Sequence, residues 1–291
     1  MKIQKKAYAK INLYLKILDK RADGYHNIFT VMQKISLCDD IKININKSSG
    51  QKINIICAAE NIPADKTNTA HKAAELFFER AKISDINTDI EITKKIPSQA
   101  GLGGGSSDAA SVLLGLNEYY NFILPENILL ELAVKIGADV PFFVKDANCA
   151  VCEGIGESVA PKHIDLSGLL CLVVKPAYNV STKQAYDDFD KYCRGRLSRA
   201  KLEIRPPVEV EIVNIIKNIH NDFAKLIFSQ NKNIAEIKDL LTESGAVAVG
   251  LSGSGSALFA VFDDSDSAGK CVNAVNQRND IEFCDIFDFM C

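Results

Sequence analysis

A short stretch of small residues between residues 97 and 110 constrains this chain more than any other feature. It reads Pro-Ser-Gln-Ala-Gly-Leu-Gly-Gly-Gly-Ser-Ser-Asp-Ala-Ala, with four glycines among the five residues Gly101–Gly105. A strand-like run precedes it, and an amphipathic helical pattern follows from Asp108. Glycines let a backbone approach a ligand closely, and the unpaired N–H groups in the first turn of a helix attract anions. The stretch therefore predicts a phosphate-binding loop at the start of a helix.

Two well-known phosphate loops do not fit this stretch. A Walker A loop needs a lysine directly after its last glycine, and none follows Gly105. The dinucleotide pattern Gly-x-Gly-x-x-Gly would use Gly101 and Gly103 but meets Ser106 in third place. A flexible linker is the plain structural alternative, and it is disfavoured because a strand and a helix bracket the loop. A phosphate loop of another kind is the favoured interpretation.

Composition places the chain among globular proteins and argues against several classes of partner. Its 291 residues are 47% apolar and 24% charged, with a formal net charge of −3. Such a balance provides no excess of lysine and arginine for nonspecific nucleic-acid binding. No apolar run reaches the roughly 18 residues of a membrane span. The first residues alternate polar with apolar side chains, unlike a signal peptide. We expect neither a nucleic-acid partner nor a membrane partner.

The apolar pattern predicts an α+β protein. At this length single cores stop growing, so we expect two domains, residues 1–158 and residues 159–291. Glycines and a proline among polar residues suggest the boundary near residues 155–165. Strands are predicted at Ile11–Ile17, Ile28–Leu37, Ile41–Ile45, Ile53–Cys57, Ile90–Ile92, Leu169–Val174, Ser256–Phe262 and Ile281–Asp285. Helices are predicted at Thr69–Ala81, from Asp108 onward, and at Glu126–Ile136, Val208–Ile219 and Ile234–Ser244.

Nine cysteines are scattered along the chain. An odd number in a chain long enough to bury a core favours reduced thiols in a cytoplasmic protein. Cys149 and Cys152 have the C-x-x-C spacing, but zinc usually needs a second ligand pair, and only His163 lies nearby. We therefore predict neither a redox site nor a dedicated metal site at this pair.

Two other short segments carry polar residues whose chemistry is open. Strand alternation puts Lys10 and Asn12 on one face about 7 Å apart, although a solvated strand face is the simpler interpretation. Tyr25 and His26 directly follow Gly24, where a plain hairpin turn is the simpler interpretation. Neither segment predicts a function by itself.

A lone acid and a second glycine loop complete the candidates. Asp139 stands in an otherwise apolar run, Gly137–Phe143, so its carboxylate must be capped, paired or functional. Gly250–Ser256 is rich in glycine and serine and leads into a strand of the second expected domain. Two small-residue loops in two domains suggest a ligand held at their junction.

Together these segments resemble the GHMP small-molecule kinases. Pro97–Ala110 is similar to their glycine-rich ATP loop, and Gly250–Ser256 to their C-terminal glycine motif. The segments Ala9–Leu13, Arg21–His26 and Gly137–Phe143 are similar to one branch of that superfamily, in matching order over nearly the whole chain. The resemblance implies the two-domain α+β GHMP kinase fold, with an N-terminal domain like domain 2 of ribosomal protein S5 and a ferredoxin-like C-terminal domain.

The same resemblance implies an activity. That branch of the superfamily works in the non-mevalonate isoprenoid pathway and moves the γ-phosphate of ATP to the 2-hydroxyl of a methylerythritol moiety. The substrate is a polyol linked to cytidine diphosphate. Asp139 would take the hydroxyl proton beside its charged partner Lys10. Magnesium would bridge the phosphates without a dedicated cage of carboxylates, and Ser107 or the phosphates would supply much of its coordination. We expect a monomer or a weak homodimer.

The resemblance further implies two sets of binding residues. The nucleotide would be contacted by Pro97, Gly101, Leu102, Gly103, Gly104, Gly105, Ser106, Ser107, Asn68 and Lys94, with Lys95 as the alternative to Lys94. The substrate would be contacted by Asn12, Tyr25, His26, Tyr186, Gly253 and Ser254, of which Tyr25, His26 and Tyr186 would form a cytidine site. Tyr178 is the alternative to Tyr186, and residues 187–208 resemble nothing in the family.

Two other functions stay open. Another GHMP kinase, acting on mevalonate, homoserine or a sugar, would share the glycine loops without needing Tyr25 and His26 for a cytosine. A nonenzymatic nucleotide-binding regulator would keep the loops but would need neither Lys10 nor Asp139. The presence of both residues argues against the regulator.

Overall fold

The computed structural model describes residues 2–194 and 214–291, which form two sheets and the helices packed on them. The strands are β1 (Lys2–Lys20), β2 (His26–Lys47), β3 (Lys52–Cys57), β4 (Ile86–Thr93), β5 (Cys149–Gly154), β6 (Ser158–Lys162), β7 (Leu170–Pro176), β8 (His220–Asn221), β9 (Ala248–Leu251), β10 (Leu258–Phe262) and β11 (Ile281–Asp288). The helices are α1 (Thr69–Ala81), α2 (Gly104–Tyr119), α3 (Glu126–Ile136), α4 (Val140–Val144), α5 (Thr182–Arg194), α6 (Ala224–Gln230), α7 (Lys232–Glu243) and α8 (Ser265–Val275). This mixture agrees with the predicted α+β class.

The larger sheet is built around the long antiparallel hairpin of β1 and β2. Its order is β3-β4-β2-β1-β8, and β5 joins the first half of β2 and pairs with β6. Two strands were predicted in place of β2, at Ile28–Leu37 and Ile41–Ile45, and that prediction is wrong. Neither glycine nor proline interrupts the chain between them, so Asp39 and Asp40 stay in the ladder opposite Ala7 and Lys6.

The middle of β1 is buried on both faces. Lys10 and Asn12 are only 3% and 1% exposed, so the solvated strand face, the simpler interpretation of this pair, is wrong. Register shifts on either side of the pair indicate local bulges in the strand. A loop of the second half of the chain covers this face, because the backbone N–H of Gly253 donates to Asn12 Oδ1 over 2.8 Å.

Helix α2 begins inside the glycine stretch, four residues before the predicted start at Asp108. Gly103 caps it in the left-handed conformation, with φ of 71°, and Gly104 and Gly105 are its first helical residues. The helices α1 and α3 have the bounds that the sequence predicted. The apolar pattern could not show the start of α2, because glycines carry no side chain to reveal a periodicity.

The smaller sheet is antiparallel throughout, in the order β11-β7-β10-β9. Alternate residues of its strands face opposite ways. Leu172 and Val174 pack with apolar residues of α5 to α8, whereas Cys171 and Val173 pack with Ile11 of the first half. One face of this sheet therefore forms the core between the two halves of the chain.

Some sequence predictions for the second half need correction or lie outside the described residues. Helices α5, α6 and α8 were not predicted, although Ala185 and Phe189 of α5 have helical spacing. Residues 208–213 of the predicted helix Val208–Ile219 lie outside the described residues, as do residues 195–208 of the unmatched segment. Within the described part, Ile215–Asn218 form a 3-10 helix.

The predicted boundary between residues 158 and 159 stays a prediction. Strand β6 spans it and pairs with β5 in the larger sheet, which favours a position after Lys162. None of the helices within residues 2–194 and 214–291 combines the length and apolar character needed to cross a membrane.

Candidate active site

A cavity of about 620 Å³ opens at the junction of the two halves. Ten residues that the sequence analysis singled out line it: Lys10, Asn12, Tyr25, His26, Gly101, Ser106, Asp139, Tyr186, Gly253 and Ser254. These residues are separated by up to 244 positions in the chain, from residue 10 to residue 254. Their convergence in one cleft makes the cavity the candidate active site.

An ion pair lies inside this cavity. The Lys10 ammonium is 3.3 Å from Asp139 Oδ2, with side-chain exposures of 4% and 29%. Asp139 comes between α3 and α4, and its carboxylate makes no capping hydrogen bond to α4. The capping explanation that the sequence left open is therefore not the one that the structure supports. The lone acid is paired, and its carboxylate remains partly open to the cavity.

Asn12 joins Lys10 to the second glycine loop. Its Oδ1 accepts a hydrogen bond from Lys10 Nζ over 2.7 Å and another from the Gly253 N–H over 2.8 Å. Its Nδ2 donates to Thr30 Oγ1 over 2.8 Å, which orients the amide. Because every one of these groups is buried, the Lys10 ammonium has little freedom to leave its position.

The two glycine loops lie directly against each other. Ser252 Oγ donates to the Gly101 carbonyl over 3.0 Å, and the Ala257 N–H donates to the Ala100 carbonyl over 3.1 Å. A Cβ at Gly101 would lie 2.1 Å from the Ser252 carbonyl oxygen. Only glycine fits at this contact, so the approach of the loops depends on it.

The first turn of α2 begins beside the same region. Gly103 has no side chain that could cap the helix, and Ser106 lines the cavity. A Cβ at Gly103 would lie 3.0 Å from Lys10 Cγ and 3.1 Å from Phe143 Cζ, so the loop passes close over Lys10. This geometry places an anion-binding helix end beside the Lys10–Asp139 pair.

The other predicted nucleotide contacts do not line this cavity. Leu102 and Ser107 are buried, Pro97 and Gly104 are half-buried, and Gly105 is exposed. Asn68 caps α1, where its Oδ1 accepts from the Ala70 N–H and its Nδ2 donates to the Pro63 carbonyl. Their contacts to a nucleotide remain predictions.

Lys94 lies in a buried cluster of charges behind α2. Its ammonium pairs with both Asp39 and Asp108, whereas Lys95 extends outward and pairs with Asp40 over 2.8 Å. Burial opposes the charge of Lys94, but the two carboxylates more than offset that effect and raise its pKa. The choice between Lys94 and Lys95 as a nucleotide contact stays open.

Asp108 has the most perturbed carboxyl group of this cluster. Burial raises its pKa to about 7, against the opposing effect of Lys94 and with a further increase from Asp39. Asp108 Oδ1 is buried and has no hydrogen-bond partner among the residues that the structure describes. Two buried carboxylates share one ammonium here, so one of them holds a proton more tightly than a free aspartic acid does.

Aromatic residues also line the cavity, and we call this part of the wall its aromatic end. The rings of His26 and Tyr186 are stacked, with centroids 4.9 Å apart and planes 16° from parallel. Tyr186 also meets Phe223 edge-on over 4.9 Å, and Tyr25 is 61% exposed at the rim. Burial, together with the negative charge of Asp139, raises the pKa of Tyr186 to about 12, so its hydroxyl stays protonated. An exposed tyrosine beside a stacked pair can accept a flat ring.

Tyr178, the alternative to Tyr186, does not line the cavity. Its side chain is 44% exposed, and its carbonyl accepts from Ser256 Oγ and from the buried Lys175 ammonium. The structure therefore favours Tyr186 as the aromatic residue of this site.

Three residues that sequence reasoning missed contribute to the aromatic end. Lys20 and Thr182 line the cavity, and Thr182 Oγ1 shares a hydrogen bond of 3.1 Å with Ser254 Oγ. Asp190 on α5 accepts from His26 Nε2 and pairs with Lys20. The sequence carried no signal for this group, because α5 was not predicted and Asp190 lies 164 residues from His26.

Cys149 and Cys152 contribute no chemistry to the site. Both thiols are buried on β5, and burial raises the pKa of Cys149 to about 12 and that of Cys152 still further. A thiol that holds its proton so firmly is a poor metal ligand and a poor nucleophile. Among residues 2–194 and 214–291, no group of three or more His, Cys, Asp and Glu side chains is arranged to hold a metal ion.

Comparison with known proteins identifies the family. The model of the GHMP kinases N terminal domain matches residues 68–146, and that of the GHMP kinases C terminal domain matches residues 211–281. The 4-diphosphocytidyl-2-C-methyl-D-erythritol kinase of Clostridium novyi (strain NT) is 37% identical over 277 residues, which cover 95% of this chain and 97% of that protein. The chain belongs to the 4-diphosphocytidyl-2-C-methyl-D-erythritol kinase family.

Further members of this family agree in sequence and in structure. The kinase of that name from Caldicellulosiruptor bescii is 40% identical over 273 residues, which cover 91% of each chain. A crystal structure of 4-(cytidine 5'-diphospho)-2C-methyl-D-erythritol kinase superposes with a TM-score of 0.78 and 28% identity over 98% of this chain and 99% of that one. Membership confirms the predicted two-domain GHMP fold and makes the chain an ATP-dependent small-molecule kinase.

Proposed function

We propose that this chain transfers the γ-phosphate of ATP to the 2-hydroxyl of 4-diphosphocytidyl-2-C-methyl-D-erythritol, a step towards isoprenoid precursors in the non-mevalonate pathway. The observation that carries the proposal is that two chemically different groups of side chains line one cavity. One end holds the Lys10–Asp139 ion pair beside the glycine loops, and the other holds the stacked rings of His26 and Tyr186. A cytidine diphosphate-linked polyol needs both ends at once.

The phosphates of ATP would bind at the first turn of α2. Its unpaired N–H groups and the helix dipole favour negative charge, and the glycines Gly103 to Gly105 leave the backbone open to a close approach. This part of the site positions the γ-phosphate near the ion pair. Positioning and charge neutralisation account for most of the catalysis of phosphoryl transfer.

Asp139 would accept the proton of the attacking hydroxyl. Its carboxylate lines the cavity and lies next to Lys10, whose ammonium can offset the negative charge that develops on the transferring group. Asn12 Oδ1 accepts from that ammonium without neutralising it, and the Gly253 N–H, which donates to the same oxygen, holds Asn12 in place. Asn12 and the second glycine loop therefore act through Lys10.

Magnesium would accompany ATP. The oxygen donors near the phosphate end of the cavity wall, the Ser106 hydroxyl and the Asp139 carboxylate, are of the type that this hard cation prefers. Ser107, the next residue of α2, or the nucleotide phosphates would supply much of its coordination. When bound, the ion would neutralise part of the phosphate charge.

The cytosine would lie at the aromatic end. Tyr25 and Tyr186 offer ring faces for stacking, and His26 offers a ring nitrogen to the base edge. The enzyme would act in the cytoplasm, as a monomer or a weak homodimer. Its nine free cysteines support a reducing compartment.

A direct assay tests the proposal. The protein is incubated with ATP, magnesium and one of several alcohols: the diphosphocytidyl polyol, mevalonate, homoserine or a hexose. Release of ADP is then followed. We expect turnover with the diphosphocytidyl polyol and none above background with the others. Turnover with mevalonate or homoserine alone would refute this substrate, and tight ATP binding without turnover would favour a regulator.

A further inference from the structure

Asp190 holds one nitrogen of the His26 ring. The carboxylate Oδ1 lies 2.8 Å from His26 Nε2, and Oδ2 pairs with the Lys20 ammonium. Burial alone would raise the pKa of Asp190, but hydrogen bonds from Lys20 and His26 lower it below its usual range. The carboxylate is therefore ionised near neutral pH and can only accept hydrogen bonds.

An acceptor-only partner determines the tautomer of the imidazole. Because Asp190 Oδ1 cannot donate, the proton of this hydrogen bond must lie on Nε2. Lys20 pairs with the other oxygen of the same carboxylate, Oδ2, so Oδ1 remains directed at the His26 ring. Above about pH 7 a free imidazole is mostly neutral, and a neutral ring protonated at Nε2 has a bare acceptor at Nδ1.

The stack with Tyr186 fixes the plane of the same ring. The two planes are 16° from parallel, and the His26 side chain is only 6% exposed in the cavity wall. Helix α5 carries both Tyr186 and Asp190, one turn apart, so a single element sets the plane and the tautomer of the ring. The one nitrogen of His26 left for a ligand is then an acceptor.

We propose that Asp190 is a positioning residue that fixes His26 in the tautomer protonated at Nε2 and thereby selects cytosine over uracil in the substrate. The inference rests on the proposed function. Cytosine has a single hydrogen-bond donor on its pairing edge, the 4-amino group, so an acceptor at His26 Nδ1 must meet that group. Uracil has an acceptor oxygen at the same place, which faces the Nδ1 lone pair without a proton between them.

The tautomer can be measured without substrate. Two-bond 15N–1H correlation spectra of the full chain at pH 8 distinguish a ring protonated at Nε2 from one protonated at Nδ1. We expect the Nε2 form for His26 in the wild-type chain and a mixture of both forms in Asp190→Asn, whose amide can donate as well as accept. A wild-type ring protonated at Nδ1 would overturn the proposal.

Discrimination between bases is the second readout. The kcat/KM is compared for the cytidine substrate and for the same molecule carrying uracil, in the wild-type chain, in Asp190→Asn and in Asp188→Asn. Asp188 is the matched control, because it lies on the same helix but pairs with Gln184 and Lys191 instead of His26. We expect the cytidine-to-uridine ratio to fall at least about fivefold in Asp190→Asn and to stay unchanged in Asp188→Asn.

A merely structural role for Asp190 would lower kcat/KM for both substrates by the same factor. An unchanged cytidine-to-uridine ratio of kcat/KM in a folded Asp190→Asn chain would therefore overturn the proposal. Failure of the proposed function looks different, since a wild-type chain without activity on the cytidine substrate would refute that function directly. The spectra would still decide the tautomer in that case. The proposed function and the role of Asp190 can therefore be refuted independently of each other.

Discussion

The buried ammonium of Lys10 and the carboxylate of Asp139 form the chemical centre of the proposed reaction. Replacing Asp139 by Asn keeps the shape of the side chain but removes the group that would accept the proton. We expect kcat to fall by at least about 100-fold in Asp139→Asn while the affinity for ATP changes little. Steady-state kinetics and equilibrium ATP binding measure the two quantities.

Asp146→Asn is the matched control for this substitution. Asp146 also pairs with a buried lysine, Lys34, but its side chain is 80% exposed and lies outside the cavity. Its kcat should stay near the wild-type value. A near-normal kcat in Asp139→Asn would remove Asp139 from the role of base.

The protonation of Asp108 makes stability depend on pH. Burial raises its pKa to about 7 in the folded chain, whereas an unfolded aspartic acid has a pKa near 3.8. The folded chain therefore binds the proton more tightly, so this contribution to stability is complete below about pH 3.8 and is lost as pH rises towards 7. In Asp108→Asn we expect the free energy of unfolding, relative to wild type, to increase by at least about 1 kcal/mol between pH 4 and pH 8.

In Asp40→Asn the free energy of unfolding relative to wild type should change with pH in the opposite direction. A hydrogen bond from Lys95 lowers the pKa of Asp40, so its stabilising contribution is present above the unfolded pKa and is lost in acid. Urea unfolding of both variants and of the wild type, at several pH values, measures the differences. A pH-independent difference for Asp108→Asn would contradict the raised pKa.

At the scale of elements, the contact between the two glycine loops is the tightest constraint on the site. Gly101 has φ of +77°, and a Cβ there would lie 2.1 Å from the Ser252 carbonyl oxygen. We expect Gly101→Ala to lower the free energy of unfolding by at least about 3 kcal/mol, or to separate the loops and abolish activity. Urea unfolding and the ADP assay measure both outcomes.

Gly168→Ala separates the backbone effect from the steric one. Gly168 has a similar φ of +78°, but a Cβ there would meet nothing within 4 Å. Gly168→Ala should lower the free energy of unfolding by only about 1 kcal/mol, the usual cost of a left-handed conformation for alanine. Its activity should be retained. If Gly101→Ala and Gly168→Ala lowered the free energy of unfolding equally, the contact between Gly101 and Ser252 would not contribute to stability.

At the scale of the whole molecule, the last residues of the chain pack on the first half. Phe289 pairs with Ile35 in an isolated bridge, and the Met290 N–H donates to the Lys34 carbonyl over 3.1 Å. Phe289 is 6% exposed and belongs to the same core as Ile11 and Phe259. This core contains residues of both sheets, so the two halves should unfold together.

Removing the Phe289 ring tests this shared core. We expect Phe289→Ala to lower the free energy of unfolding by about 3 kcal/mol, with a single transition in urea for the whole chain. Phe122→Ala is the control, because Phe122 is 71% exposed and should change stability by no more than about 0.5 kcal/mol. A second transition in the wild-type chain would show that the halves unfold independently.

Most of the elements could be predicted from the sequence, because their signals are local. The helices α1 and α3 have regular apolar spacing, α3 ends at Gly137, and the alternation of β1 reflects a period of two. Helix α5 was missed because polar residues dominate its sequence. The start of α2 was misplaced because glycines hide the pattern.

The glycine stretch, Lys10 and Asp139 were recognisable as candidates by their residue types and by their resemblance to a kinase family. Residue types and local patterns are therefore enough to establish the class of protein and most of its candidate site. They could not show that the polar face of β1 is buried, since that depends on a loop some 240 residues further along the chain. Only the tertiary structure brought Asn12 to Gly253 and His26 to Asp190, because such hydrogen bonds act over about 3 Å and leave no periodic trace in the sequence.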